Sequence, residues 1–201
     1  MRITTTRTKT GRINVLADGE YRFTVPFSLW TETPLPADAD EAALAALREA
    51  GERADAYDKA LTLLGMRDHA EQELYRKLRK QFSPAAASDA LARCRAAGFT
   101  DDARFAAALA EELSQKKNYA PRRILEALQQ KGIDRETAKN AVEGLDIDGK
   151  KGIINIIKKM RLPDTLTQKE LDRLLRRLTA AGYSMREIRA VLRFSEETEE
   201  G

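Results

Sequence analysis

Two hydrophobic periods divide the chain. Up to about residue 30, apolar positions alternate with polar ones: Ile13, Val15 and Ala17, then Asp18-Gly19, then Tyr21, Phe23 and Val25. Alternation at period 2 puts the apolar residues on one face of a strand, and Asp-Gly supplies the positive φ of a tight hairpin turn. A preceding strand over Ile3 to Thr8 is expected because threonine suits a pleated surface, giving a two- or three-stranded sheet. So small a sheet needs cover, which Phe27, Leu29 and Trp30 can supply. It reads either as an N-terminal cap or as an edge open to strand addition. Pro34 and Pro36 mark a linker, and Asp40 with Glu41 can open the first helix.

From residue 40 onward the period becomes 3.6. Breakers at Gly51, Gly65, Pro84, Gly98, Pro121, Gly132, Gly149, Pro163 and Gly182 cut the pattern into short helices. The segments repeat at about 50 residues: Leu74, Leu78, Phe82 and Leu91, then Leu125, Leu128, Ile133 and Val142, then Leu175, Leu178, Tyr183 and Leu192. Each set has the layout helix, apolar residue at the bend, helix. A further helix precedes each pair, near Tyr57 to Leu64, Arg104 to Leu113 and Ile153 to Met160. The expected fold is therefore mainly α, with three tandem three-helix repeats forming an elongated curved body and a small N-terminal β-hairpin or sheet. The expected divisions are residues 1–36 (hairpin and linker), 37–97 (first helical section with repeat 1), 98–147 (repeat 2), 148–195 (repeat 3) and 196–201 (acidic tail).

Composition narrows the chemistry. The 201 residues hold one cysteine, Cys94, and one histidine, His69, which excludes an internal disulfide framework, zinc fingers and multi-histidine metal sites. Nothing matches a phosphate-cradling loop, since Gly149-Lys150-Lys151-Gly152 lacks a preceding strand and a Ser/Thr for magnesium. Asp146-Ile147-Asp148-Gly149 places glycine at the fourth position of a calcium loop, where the sixth is needed. Asp101-Asp102 follows Gly98-Phe99-Thr100 at a helix start, where carboxylates cap free N–H groups. His69 reads as a surface histidine beside Asp68, which stands at capping-box spacing from Glu71. Cys94 reads as a small core residue. No cofactor or metal is expected, and no enzyme. The N-terminus lacks a signal-peptide core and no apolar run approaches a bilayer span, so the expectation is a cytoplasmic monomer without membrane contact.

Charge carries the stronger signal. Residues 148–195 hold twelve Lys/Arg against five Asp/Glu, whereas the last six residues hold four Glu. Such a basic section suits an acidic partner. Arg122-Arg123 follow Pro121 at a helix start, where the dipole disfavours cations and anions in their place should help the helix. Lys169, Arg173, Arg176 and Arg177 share one side of a helix opposite Leu171, Leu174, Leu175 and Leu178. The stripe fits nucleic acid, an acidic protein or a plain solvated face. Aromatic residues for base stacking are sparse, with Tyr75 and Tyr119 the clear candidates.

Three stretches resemble the RecX regulators of bacterial RecA recombinase. They are Ala60-Leu61-Thr62-Leu63-Leu64-Gly65-Met66-Arg67 leading to Glu73-Leu74 and Lys77-Leu78, then Gly98-Phe99-Thr100-Asp101-Asp102-Ala103-Arg104-Phe105-Ala106, and Arg123-Ile124-Leu125-Glu126-Ala127-Leu128-Gln129-Gln130-Lys131-Gly132-Ile133. The similarity spans residues 55–145 and, through the repeat, extends to about 195. Ala70 departs from the usual Ser/Thr cap, and Ala120 from a common glycine, so the backbone at Ala120 must avoid positive φ. The resemblance implies a non-enzymatic regulator that lies in the groove of the RecA–DNA filament and inhibits ATP hydrolysis and strand exchange in recombination and SOS repair. It implies the RecA filament as partner, with single- or double-stranded DNA as a further candidate. Carried onto matching positions, it points to Lys77, Arg104, Arg122, Arg123 and Lys131. Lys158, Lys159, Arg173, Arg176 and Arg177 are added on charge and face alone. The alternative is a helical module that binds DNA directly, without the recombinase.

Overall fold

The computed structural model describes residues 1–163 and 166–199, the last helix beyond residue 192 by its backbone alone. Residues 200–201 and all side chains of the acidic segment 196–201 lie outside the described residues. The chain is mainly helical with a small N-terminal sheet, and it divides into two compact units, Met1–Asp101 and Asp102–Gly201.

In the first unit, β1 (Ile3–Arg7), β2 (Ile13–Ala17) and β3 (Glu20–Val25) form an antiparallel sheet in chain order. Asp18 and Gly19 turn the β2–β3 hairpin with φ of 52° and 84°, as the Asp-Gly pair predicts. Alternation holds: Ile3, Ile13, Val15, Ala17 and Val25 face inward against Ala39, Leu44 and Leu47. Residues 27–32 form a short helix, α1 (Phe27–Glu32). Its Leu29 and Trp30 pack on the sheet core, while the Arg7 guanidinium sits 4.8 Å from the Phe27 ring centroid.

Helix α2 (Glu41–Leu64) starts where expected, with the Asp40 carboxylate accepting from the Ala43 N–H at 2.8 Å. It runs straight through Gly51, which does not break it. A Cβ at residue 51 would lie 2.8 Å from a Val25 methyl, so glycine here permits close approach of sheet and helix. Arg12 ties the sheet to the middle of this helix through both Asp55 oxygens, at 2.7 and 2.8 Å. The C-terminal half of α2 then packs Ala56 and Ala60 against Leu74 and Leu78 of α3 (Glu71–Leu78) and Ala86, Ala87, Ala90 and Cys94 of α4 (Pro84–Ala96). Cys94 is fully buried, and desolvation pushes its thiol pKa up, which keeps it protonated and inert.

Two local expectations at α3 fail. His69 is buried, not on the surface, with Nδ1 3.5 Å from Glu73 Oε2. Glu71 does not form a capping box, and α3 has no side-chain cap at Ala70. Glu71 accepts instead from Arg95 Nε at 2.7 Å and from the Thr100 hydroxyl at 3.2 Å, and the Arg95 hydrogen bond leads the causes that hold its carboxyl below the ordinary value.

The second unit repeats one layout twice: α5 (Asp102–Gln115), α6 (Pro121–Lys131) and α7 (Arg135–Glu143), then α8 (Gly149–Met160), α9 (Gln168–Ala180) and α10 (Met185–Glu199). The buried residues keep the 50-residue register through all three repeats, with Leu74, Ile124 and Leu174 at one position and Leu78, Leu128 and Leu178 at the next. The sequence pattern puts Leu125 and Leu175 in the first of these rows, but both are only half-buried. An adjacent apolar pair satisfies a helical stripe either way, and the structure turns the earlier member inward. Gly132 and Gly182 both end their helices at φ 95°, each followed by a buried residue at the bend, Ile133 or Tyr183. Pro121 opens α6 as its first residue, where no N–H is needed. Asp148 is the N-cap of α8, accepting from the Lys151 N–H at 3.0 Å, and Thr167 with Glu170 forms a full capping box on α9.

Candidate partner-binding surface

Of the ten basic residues singled out above, Lys77 lies in the first unit and the other nine lie in the second. Lys77 is half-buried in the last turn of α3, where a cation suits the helix dipole, and its charge is one of those that oppose protonation of His69. Arg104 is exposed in the first turn of α5, and Lys131 is half-buried in the last turn of α6.

Arg122 and Arg123 sit differently although they are neighbours. The Arg122 side chain is 82% exposed and the Arg123 side chain 33%. Both reach Glu126 one turn on, Arg122 Nε at 3.1 Å and Arg123 Nη1 at 3.4 Å, and these donors, Arg122 first, hold the Glu126 carboxyl below its ordinary value. Glu126 thereby offsets the unfavourable placement of two cations at a helix N-terminus. Arg123 also lies 5.7 Å from the Tyr119 ring centroid, and its Cβ borders Gly182 so closely that a Cβ on residue 182 would stand 2.6 Å away. It belongs to the seam between the second and third repeats.

That seam begins in the turn after α5. Asn118 is buried with φ 54°. Its carbonyl accepts from the Tyr183 hydroxyl at 2.9 Å, and its Oδ1 accepts from Asn155 Nδ2 at 3.0 Å. Burial raises the Tyr183 pKa, so the phenol stays a donor. The Ala120 N–H donates to the Ala181 carbonyl at 2.9 Å, with Ala120 at φ −68°, as its β-carbon requires. Gly152 leaves room for the Tyr183 hydroxyl beside α8.

The locked turn brings Lys116 and Lys117 beside the ends of α8 and α9. There they and Lys159, Arg173, Arg176 and Arg177 line a cavity of about 710 Å³, together with Ile156, Met160 and Ala180. Four of the predicted cations therefore meet at one place, while Lys158, exposed on α8, is not part of the lining. Lys159 Nζ donates to the Lys116 carbonyl at 3.1 Å, and Arg176 Nε to the Asp172 carbonyl at 3.2 Å. The sequence reading missed Lys116 and Lys117. Their signal is the Lys-Lys pair after α5, but helix-face periodicity does not reach residues in a turn.

Fold and surface define a class: a tandem three-helix-repeat protein with a basic cavity where its second and third repeats meet. Among the described residues no helix is long and apolar enough to cross a membrane, and no group of three His, Cys, Asp or Glu could hold a metal. Two family models match, the first three-helix domain of RecX over residues 56–94 and the second over residues 101–142. Regulatory protein RecX of Cronobacter sakazakii (strain ATCC BAA-894) is 34% identical over 148 residues, 68% of this chain and 89% of that protein. The Escherichia coli O1:K1 protein of the same name is 40% identical over 102 residues, 45% of this chain and 61% of that protein's length. A crystal structure of regulatory protein RecX superposes with a TM-score of 0.66 at 22% identity, covering 94% of this chain and 98% of that one. RecX from Lactobacillus salivarius gives 0.58 at 19% identity, over 72% and 96%. The chain belongs to the RecX family, which consists of regulatory proteins and not enzymes.

Proposed function

We propose that this protein regulates RecA by binding in the groove of the RecA–DNA filament, where it inhibits ATP hydrolysis and strand exchange in recombination and SOS repair. Family membership supports the regulatory role. The observation that carries the binding mode is the set of exposed cations on the outer faces of the repeats, namely Arg104, Arg122, Lys158, Lys159, Arg173, Arg176 and Arg177. A filament that holds DNA is a polyanion, and a dispersed basic surface steers a partner onto it and fixes its register. Lys131 and Arg123, which are half-buried, act at the margins of that surface or through the packing of their repeats, and Lys77, half-buried in the first unit, acts through the packing of its own repeat.

The test is RecA-catalysed ATP hydrolysis on single-stranded DNA, titrated with the full chain. Saturable inhibition is expected, with no hydrolysis by the chain alone. An unchanged RecA rate at saturating protein would overturn the proposal.

A further inference from the structure

We infer that His69 is a proton-operated latch on the turn between α2 and α3, residues 65–70, keeping the turn closed while its imidazole is neutral and releasing it when the ring takes up a proton. The device lies within the first unit, involves no partner, and stands apart from RecA regulation.

The turn has few ties. Gly65, Met66, Arg67 and Asp68 are exposed, and only then do His69 and Ala70 drop into the interior. Helix α3 starts at Ala70 without a side-chain cap. The Met66 N–H donates to the Leu63 carbonyl at 3.2 Å, and Arg67 staples the turn, with Nη1 donating to the Asp68 carbonyl at 2.8 Å and Nη2 to Glu73 Oε1 at 2.5 Å. Opening such a segment exposes little apolar surface beyond Ala70, so what it chiefly has to withdraw is the imidazole.

That imidazole is poorly satisfied where it lies. Its side chain is 1% exposed, yet Nδ1 has no hydrogen-bond partner among the described residues, because Glu73 Oε2 stands 3.5 Å away and the same carboxylate already serves Arg67. An apolar side chain of similar volume would fill the site without an orphaned nitrogen, so packing alone does not account for the histidine.

In the closed turn a proton on this ring is opposed. Burial removes it from water first of all, and Arg67 in the turn and Lys77 on α3 add like charge, while Glu73 on α3 offsets only part of this. Glu71, on the same helix, is engaged by Arg95 of α4 and by the Thr100 hydroxyl. The ring is therefore held below its ordinary 6.5 in the closed turn and returns to that value in the open one. Protons bind the open turn more tightly. The turn is closed above about pH 6.5 and opens progressively as pH falls toward the lowered value, the open population rising by up to about tenfold per pH unit across that interval.

The experiment uses the full chain, whose one imidazole gives an unambiguous signal. Proton NMR follows the ring from pH 7.5 to 5. Amide exchange over the same range, corrected for intrinsic chemistry, follows the Met66 and Leu74 N–H groups, whose bonds to the Leu63 and Ala70 carbonyls break when the turn opens. The ring should titrate below 6.5, and both amides should exchange faster by up to about tenfold per pH unit between 6.5 and the ring's midpoint. Sub-denaturing urea should leave these rates unchanged, because a local opening exposes little surface. His69→Gln takes up no proton and should remove the acceleration. Lys77→Gln, a second variant should the first fail to fold, deletes one like charge and should raise the ring's midpoint and shrink the acceleration together. A ring that titrates at or above 6.5, amides indifferent to pH, rates that climb with urea, an undiminished response in His69→Gln, or a Lys77→Gln variant in which ring and amides part company would overturn the latch.

Discussion

Helices α6 and α9 hold the same place in successive repeats, and their differences follow one rule. Their inner faces match residue for residue, Ile124 with Leu174 and Leu128 with Leu178, all four buried. Their outer faces diverge at the same 50-residue offset. Arg123 corresponds to Arg173, but Glu126 corresponds to Arg176 and Ala127 to Arg177. In α6 a carboxylate gathers two arginines, and one of them is drawn into the seam with the next repeat. In α9 arginine stands where that carboxylate would be, and three guanidiniums face solvent and the cavity. The repeat thus dictates what each helix buries and leaves its outer face free to become either an internal joint or a contact surface.

The joint breaks most severely at Gly182. Alanine there must adopt φ 95°, at a cost of about 1–2 kcal/mol, and must also displace Arg123, at about 1–3 kcal/mol more. Denaturant unfolding of Gly182→Ala should show a loss in that combined range. A stability within about 0.5 kcal/mol of the parent would mean that the seam is loose.

Charge reversal at Arg122 and Arg123 sharpens the contrast further. A helix N-terminus considered alone favours anions there, yet Glu126 reverses the sign, because Arg122→Glu with Arg123→Glu sets two new carboxylates four and three residues before Glu126, on the same helix face. The melting temperature of that variant should fall, and it should recover in part when Glu126→Gln is added. A rise in the double variant would show that the dipole outweighs the pairing.

A smaller effect separates the first repeat from the second. His69 occupies the position that Tyr119 fills fifty residues later, and it is the chain's one histidine. Burial chiefly, then Arg67 and Lys77, lowers its pKa from 6.5 against the opposing pull of Glu73. The unfolded chain therefore binds this proton more readily than the folded one, and stability rises with pH over that interval. The contribution is complete above about pH 6.5 and is lost as pH falls toward the lowered folded value. Unfolding measured from pH 7.5 to 5 should show this slope in the parent and lose most of it in His69→Gln. An equal slope in both would assign the dependence to carboxylates.

The two periods, the hairpin turn, the helix that starts at Asp40, the proline-opened helices and the three-repeat layout were all legible in the sequence, because each rests on local stereochemistry or on periodicity. What escaped was decided by tertiary contact. Gly51 looks like a helix breaker until Val25 is placed against it, and His69 looks polar and exposed until Glu73 and the packing around it are known. Leu125 and Leu175 lost the inner position to their neighbours, which a helical stripe alone does not determine. The candidate surface followed the same division. Charge and face picked out Lys159, Arg173, Arg176 and Arg177, whereas Lys116 and Lys117 joined them only through the Asn118 turn, whose hydrogen bonds reach to Asn155 and Tyr183.

The most direct measurement writes the outer face of α6 onto α9, as Arg176→Glu with Arg177→Ala, and records both the melting temperature and the inhibition of RecA ATP hydrolysis. Both positions are exposed and have no structural partner beyond the Arg176 contact with the Asp172 carbonyl among the described residues, so the melting temperature should stay within about 2 °C. Half-maximal inhibition should need at least tenfold more protein, as expected when a contact charge is reversed. An unchanged inhibition curve, or a melting temperature that collapses, would contradict the assignment of this face to binding.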